Sequence, residues 1–147
     1  MSSAADWLLF ASVLIINLSS AVMLWARARH SSWEGPAGLA VIGAALPVAV
    51  VGLLNALDSR GTAYWAIPLA FVVWALSAYL LDYRLKVQFR EPRRPLILGP
   101  YLALFYISVI GLWGLTWPLG VWVWLPSAAS YVLHIAAMID AQARGHG

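Results

Sequence analysis

Residues 96–139 read LILGPYLALFYISVIGLWGLTWPLGVWVWLPSAASYVLHIAAMI, two long apolar runs separated by a short joint that contains Pro118 and Gly120. A helix needs about 20 apolar residues to cross the hydrocarbon core of a bilayer. Each run therefore predicts one membrane-spanning helix. The joint, residues 117–120, is too short for anything except a tight turn, so we expect these two helices to form a tight antiparallel hairpin.

Three more apolar runs of similar length precede this pair, and only short polar joints separate them. The chain is therefore predicted to be all-α: a polytopic membrane protein with five transmembrane helices, in which residues 1–147 form a single helical bundle. The predicted spans are residues 7–25, 37–57, 64–82, 96–117 and 119–139.

The composition agrees with a membrane protein and excludes several kinds of site. Of the 147 residues, 63% are hydrophobic and 10% are charged, whereas a soluble domain carries about 25% charged residues. Cysteine is missing from the sequence, which excludes disulfides, thiolate metal sites and cysteine nucleophiles. Walker A, GxGxxG, GxSxG and HExxH motifs are missing as well. No motif therefore identifies catalytic residues, no metal-binding residue is predicted, and a function other than catalysis is favoured.

The basic residues lie in joints that face one side of the membrane. With the N-terminus outside, eight of the nine Lys and Arg residues lie inside, and only Arg60 lies outside. Because positively charged joints remain cytoplasmic, we expect an N-out/C-in protein, in a prokaryotic cytoplasmic membrane. Residues 1–6 lack the basic region of a signal peptide. The first helix is therefore predicted to be a retained span, with Asp6 as its N-cap.

The second predicted span combines small residues with a proline. Gly38, Ala45 and Gly52 recur every seven residues, which places them on one helix face. Small residues at this spacing allow two backbones to approach closely, so we expect this face to contact another helix. Pro47 interrupts the hydrogen-bond ladder and should kink the span.

Within the longest polar joint, residues 83–95, apolar side chains alternate with basic or polar ones over residues 83–90, which are predicted to be extended, and Pro92 and Pro95 then end the run. Its basic residues are candidate contacts for anionic lipid headgroups or for a partner subunit. Each Lys or Arg near the cytoplasmic leaflet contributes roughly 1 kcal/mol to the attraction to anionic lipids. Alternatively, their charges only set the orientation of the chain. These candidates are Arg84, Lys86, Arg90, Arg93 and Arg94.

Polar residues inside the predicted spans provide the main functional signal. Ser127, Ser130, Tyr131 and His134 recur at helical spacing on one side of the last span, and such a stripe should face the bundle interior. Helical rise places other polar residues of the third and fourth spans at a similar depth. The predicted ligand-binding pocket is lined by Tyr79, Asp82, Tyr101, Tyr131 and His134.

Three interpretations of His134 remain open. It could be a structural residue that is hydrogen-bonded to a neighbouring helix, with Tyr79, Asp82 or Tyr101 as its partner. It could act as a general acid or base together with Asp82. It could also be the axial ligand of a haem or of a chlorophyll-type pigment, the one cofactor class that the sequence suggests.

These patterns predict a small integral membrane bundle that is a non-catalytic subunit of a membrane complex, a homo-oligomer or a binder of an apolar ligand. The alternative is a small membrane enzyme or carrier that acts on a lipid-like substrate through the Asp/His/Tyr cluster. The expected partners are membrane lipids together with other membrane subunits or further copies of the chain. Nucleic acid is not expected, because the basic excess is explained by orientation.

Overall fold

The computed structural model of the protein describes residues 3–87 and 94–145, and this part of the chain is helical, without strands. Five helical segments are long and apolar enough to cross a membrane, as predicted. The elements are α1 (Ala4–Ala28), α2 (Glu34–Gly43), α3 (Ala45–Leu57), α4 (Ala63–Ala78), a π-helix (Tyr79–Arg84), α5 (Pro95–Gly114), a 3-10 helix (Trp117–Leu119) and α6 (Val121–Ala143).

The first helix begins earlier than predicted. Its N-cap is Ser3, whose hydroxyl accepts from the backbone N–H of Asp6, and the Asp6 carboxylate accepts in return from the Ser3 N–H at 2.7 Å. This reciprocal pair is a capping box, which satisfies two backbone donors at a helix start. The prediction that Asp6 is the N-cap is therefore wrong, because Asp6 occupies the third helical position.

The second span is divided into α2 and α3 at Ala44. Proline lacks an N–H, and its ring clashes with the carbonyl four residues earlier, which here belongs to Gly43. The expected distortion at Pro47 is thus confirmed, as a break between the two helices. The small-residue face is in contact where predicted, since a Cβ on Gly52 would lie 3.1 Å from Cβ of Pro68, and one on Gly38 would lie 2.6 Å from the Tyr83 hydroxyl.

The third span ends in the π-helix Tyr79–Arg84. Tyr83 and Arg84 are therefore helical, and the predicted extended segment is wrong at these two positions. A π-helix places about one more residue in its turn than an α-helix, which changes the direction of the side chains that follow and is frequent at functional sites.

The last helix packs mainly along α1 rather than along α5. Asn17 pairs with Ser130, and Arg29 pairs with Asp140. From the first pair to the second, the residue number increases in α1 and in α6 alike, so the two helices run in the same direction. Side chains rather than close backbones connect α5 to α6, as in the hydrogen bond from the Tyr106 hydroxyl to the Met138 sulfur at 2.7 Å.

The two ends of the bundle differ in packing. The N-terminal end, which carries Ser3 and Arg60, encloses the hydrophobic core; its buried side chains include Leu9, Val13, Phe71 and Leu112. The C-terminal end, which carries Arg29 and the π-helix, is open. Each end carries ion pairs that join separate elements, Arg60 with Asp6 at 2.7 Å and Arg29 with Asp140 at 2.8 Å. The hydrogen bond to Asp6 raises the pKa of the Arg60 guanidinium above its usual value.

Candidate functional site

An open cavity of about 1460 Å³ occupies the C-terminal end of the bundle. All five spans contribute to its lining, with Met23 from α1, Gly38 from α2, Trp74 from α4, Tyr101 from α5 and His134 from α6. We call this space the C-terminal cavity. Ligand sites in proteins usually measure about 300–1,000 Å³, so the cavity has room for a small molecule with an extended apolar part.

His134 lies at the inner end of the C-terminal cavity and is fully buried. Aromatic rings surround it: the ring centroid of Phe105 is 5.7 Å away, and those of Tyr106 and Tyr131 are each 6.1 Å away. Neither imidazole nitrogen has a hydrogen-bond partner within residues 3–87 and 94–145. His134 faces the bundle interior as predicted, but the predicted hydrogen bond to Tyr79, Asp82 or Tyr101 is wrong.

The wall of the cavity is aromatic. Trp74 packs against Phe105, with ring centroids 4.5 Å apart, and against Tyr101 at 5.8 Å. Tyr106 also lines the cavity, and its hydroxyl donates to the sulfur of Met138 at 2.7 Å. A thioether is a weak acceptor, so this hydroxyl remains available for a better one.

The mouth of the cavity carries charges of both signs. The Tyr101 hydroxyl donates to the Asp82 carboxylate at 3.2 Å. On the other side, the Arg27 guanidinium is paired with Glu34 at 2.7 Å. Lys86 lines the same mouth. These four charged groups sum to zero at neutral pH, so the mouth as described does not select strongly for an anion or a cation.

Asp82 and His134 line the same cavity at different depths. Tyr101 reaches Asp82, whereas Phe105, one helical turn further along α5, contacts His134. Four residues of helix correspond to about 6 Å along the axis. A direct acid–base pair between Asp82 and His134 would need this separation to be bridged by a bound molecule.

The structure brings together part of the predicted pocket. Asp82, Tyr101 and His134 line the C-terminal cavity. Tyr131 contacts the ring of His134 and stacks on Trp113 at 5.3 Å, behind the cavity lining. Tyr79 does not line it, since its side chain is 46% exposed and its ring stacks on Tyr83.

The basic candidates can be placed only in part. Arg84, Lys86 and Arg94 are exposed at the C-terminal end of the bundle, where a headgroup could reach them. Arg90 and Arg93 lie outside the described residues.

Several cavity residues were not predicted, and these are mainly aromatic. Trp74, Phe105 and Tyr106 lie within the apolar runs that predict the spans, and nothing in the composition of those runs distinguishes them from other apolar residues. The spacing of these residues in the sequence could have identified two of them. Trp74 precedes Asp82 by eight residues, and Phe105 follows Tyr101 by four. Residues four apart share a helix face, so the polar candidates could have identified their aromatic neighbours.

Five further buried polar atoms lack partners in the part of the chain that the structure describes. Two of them, Oδ1 of Asn17 and Oγ of Ser20, lie on α1, and the others are Oδ1 of Asn55 and the indole nitrogens of Trp74 and Trp113. Asn17 pairs with Ser130 through its other side-chain atom, the amide nitrogen. Because α1 and α6 run parallel, Ser20 and His134 both lie one turn beyond this bond, toward the C-terminal end.

Within residues 3–87 and 94–145, no group of three or more His, Cys, Asp or Glu side chains is arranged to hold a metal ion. The site is thus an aromatic cavity with a buried imidazole at its inner end and paired charges at its mouth. No protein-family model, curated protein or solved structure matches this chain.

Proposed function

We propose that this protein is a membrane-embedded binder of an amphipathic small molecule and that the C-terminal cavity is its binding site. The observation that carries this proposal is the fully buried His134, whose two ring nitrogens lack partners among the described residues and which lines a cavity of about 1460 Å³. A buried polar group without a hydrogen bond destabilises a protein by roughly 1–3 kcal/mol. A ligand that supplies the missing bond would offset this penalty.

The contrast between the two ends of the bundle supports the same proposal. At the N-terminal end, residues such as Val48 and Phe71 are completely buried in a continuous core. At the C-terminal end, five helices surround open space instead. Without a hydrophobic driving force between helices in lipid, association depends on packing and hydrogen bonds, so this open half has less to hold it together. Bound ligand would supply the contacts that the side chains leave unmade.

We propose that the cavity opens toward the cytoplasm, in an N-out/C-in protein whose α5 and α6 form an antiparallel hairpin. Support for the orientation comes from the sequence, in which eight of the nine basic residues belong to the segments that join or follow the spans at the end of the bundle where the cavity opens. Support for the hairpin comes from the pairing of Thr116 with Ser127 and of Tyr106 with Met138. Arg84, Lys86 and Arg94 would then face anionic headgroups of the inner leaflet.

The experiment is native mass spectrometry of the purified protein, with a cavity-filling variant and a matched control. Ala78 is buried and lines the cavity, whereas Ala103 is exposed on α5. Ala78→Phe should abolish the mass of a co-purifying small molecule, and Ala103→Phe should keep it. Melting curves of both variants check that the fold is retained. Equal retention of the molecule by both variants would contradict a site in this cavity.

A second candidate is a small membrane enzyme or carrier that acts on a lipid-like substrate. The observation that favours it is the Asp82 carboxylate held by Tyr101 at 3.2 Å, one turn above His134 on the same cavity. A substrate that bridged the two could exchange protons with both. In that case Asp82→Asn should abolish turnover of the co-purifying molecule while its binding persists. A visible absorption band in the purified protein, lost in His134→Gln, would instead identify a haem or pigment.

A further inference from the structure

The surroundings of His134 restrict the chemistry of the ligand. Phe105, Tyr106 and Tyr131 place ring surfaces around the imidazole, with centroids between 5.7 and 6.1 Å away. The Tyr106 hydroxyl is directed to Met138, not to His134. His134 also lines the C-terminal cavity, but neighbouring side chains cover both of its nitrogens. A partner therefore reaches these nitrogens from the cavity when one of the covering side chains rotates.

The hydrogen-bonding capacity of this region favours a group that both donates and accepts. A neutral imidazole presents one N–H donor and one acceptor nitrogen. Among the described residues, the unpartnered Oδ1 of Asn17 only accepts, the unpartnered indole N–H of Trp74 only donates, and the Ser20 hydroxyl can do either. A hydroxyl group matches this set, because it donates one hydrogen bond and accepts others. A ketone or ether oxygen, by contrast, would leave the acceptors without a donor.

A charged head group fits this position less well. His134 is fully buried, and moving an ionised group into such surroundings requires a close counter-charge. The described cations that line the cavity, Arg27 and Lys86, lie at its mouth, and Arg27 is already paired with Glu34. The polar end of the ligand that reaches His134 should therefore be neutral.

The walls favour a flat head and a flexible tail. Trp74, Phe105 and Tyr106 offer ring faces on which an aromatic group can pack, and such pairs gain about 0.5–1.5 kcal/mol beyond burial of area. Leu102 and Met138 line the cavity between α5 and α6, where the two helices have few close backbone approaches. An alkyl tail could pass there toward the lipid.

We infer that the ligand belongs to the class of neutral alkylphenols and that its hydroxyl is hydrogen-bonded to His134, with its ring among Trp74, Phe105 and Tyr106. This inference rests on the proposed function and specifies the class of ligand that binds at the same site. His134 is thereby a ligand-binding residue whose contribution is selectivity for a hydroxyl.

The test compares 4-butylphenol with butylbenzene, which has the same ring and tail but no hydroxyl. Binding of each probe to the detergent-solubilised protein is measured by equilibrium dialysis, with empty micelles as the reference. The selectivity is the dissociation constant of butylbenzene divided by that of 4-butylphenol. The quantity compared is the quotient of the selectivity of the wild type and that of a variant. Partition of the probes into detergent cancels in this quotient.

The variants are His134→Phe, which keeps a ring but removes both polar atoms, and His134→Gln, which keeps a donor and an acceptor. We expect His134→Phe to lose roughly tenfold in selectivity for the phenol, the scale of one buried hydrogen bond. His134→Gln should retain most of it. A merely structural histidine would leave the quotient near one in both variants.

Different failures have different meanings. If both probes bind saturably and His134→Phe has the same selectivity as the wild type, the cavity binds ligands and the hydroxyl inference is overturned. If neither probe binds above empty micelles, and Ala78→Phe also leaves the co-purifying mass unchanged, the proposed function itself fails. If His134→Phe does not fold, His134→Leu, which also removes both polar atoms, takes its place, and a quotient near one in that variant contradicts the inference.

Discussion

Asn17 donates a hydrogen bond from its side-chain nitrogen to the hydroxyl of Ser130 at 3.0 Å, and both side chains are buried. The Ser130 hydroxyl in turn donates to the carbonyl of Ser127 at 2.7 Å. This connection joins α1 to α6 across a separation of 113 residues. It sets the register of the two parallel helices, and with it the depth at which His134 meets the cavity.

Removal of this connection should weaken the bundle moderately. Asn17→Ala should lower the free energy of unfolding by about 0.5–2 kcal/mol, because hydrogen bonds between membrane helices contribute about 0.6 kcal/mol on average and up to about 1.7. The measurement is unfolding in mixed micelles with increasing SDS. Ser130→Ala and the double variant complete a mutant cycle, and a coupling energy of zero would mean that the contact does not stabilise the fold.

The ion pair between Arg60 and Asp6 should stabilise the N-terminal end. The Asp6 side chain is 6% exposed, so Arg60→Ala leaves a nearly buried carboxylate without its counter-charge. We expect a loss of about 1–2 kcal/mol, less than for a deeply buried pair because Arg60 itself is partly exposed. Arg144→Ala is the control, since its pair with Asp140 is more exposed. Equal melting temperatures for the two variants would contradict this prediction.

Bulk at Gly52 should disrupt the contact between α3 and α4. A Cβ there would already lie 3.1 Å from Cβ of Pro68, so Gly52→Leu must displace α4. Overpacking of this kind destabilises by about 1–3 kcal/mol, which should appear as a lower melting temperature in detergent. Gly43→Leu is the matched control, because a Cβ at Gly43 meets nothing within 4 Å. Similar losses in both variants would indicate a helix effect rather than a packing effect.

The proposed orientation can be tested by labelling, because the natural chain has no cysteine. Cysteine at Gly61, in the joint between α3 and α4, should react with a membrane-impermeant thiol reagent added to intact cells. Cysteine at Ser32, between α1 and α2, should react only after permeabilisation. The orientation is expected from the excess of basic residues on the Ser32 side. The reverse labelling pattern would invert the topology.

The sequence by itself determined the number of spans and the distortion of the second one. Five apolar runs could be counted because crossing a bilayer requires a minimum helical length. The distortion near Pro47 was also predictable, since proline lacks the N–H that the helix needs. The Ser3–Asp6 capping box carried a local signal as well, although Asp6 was read as the cap. All these features depend on residues close together in the chain.

Only the tertiary structure decided which polar side chains meet. Helical spacing directed His134 inward, but it could not show that its neighbours would be rings rather than hydrogen-bond partners. The depth of Tyr79 matches the predicted pocket, yet its side chain lies outside, because it follows the cavity-lining Ala78 by one residue and so points about 100° away around the helix. The parallel pairing of α1 with α6 joins residues more than a hundred positions apart. Such contacts depend on how helices rotate and pack against each other, and periodicity within one helix does not contain that information.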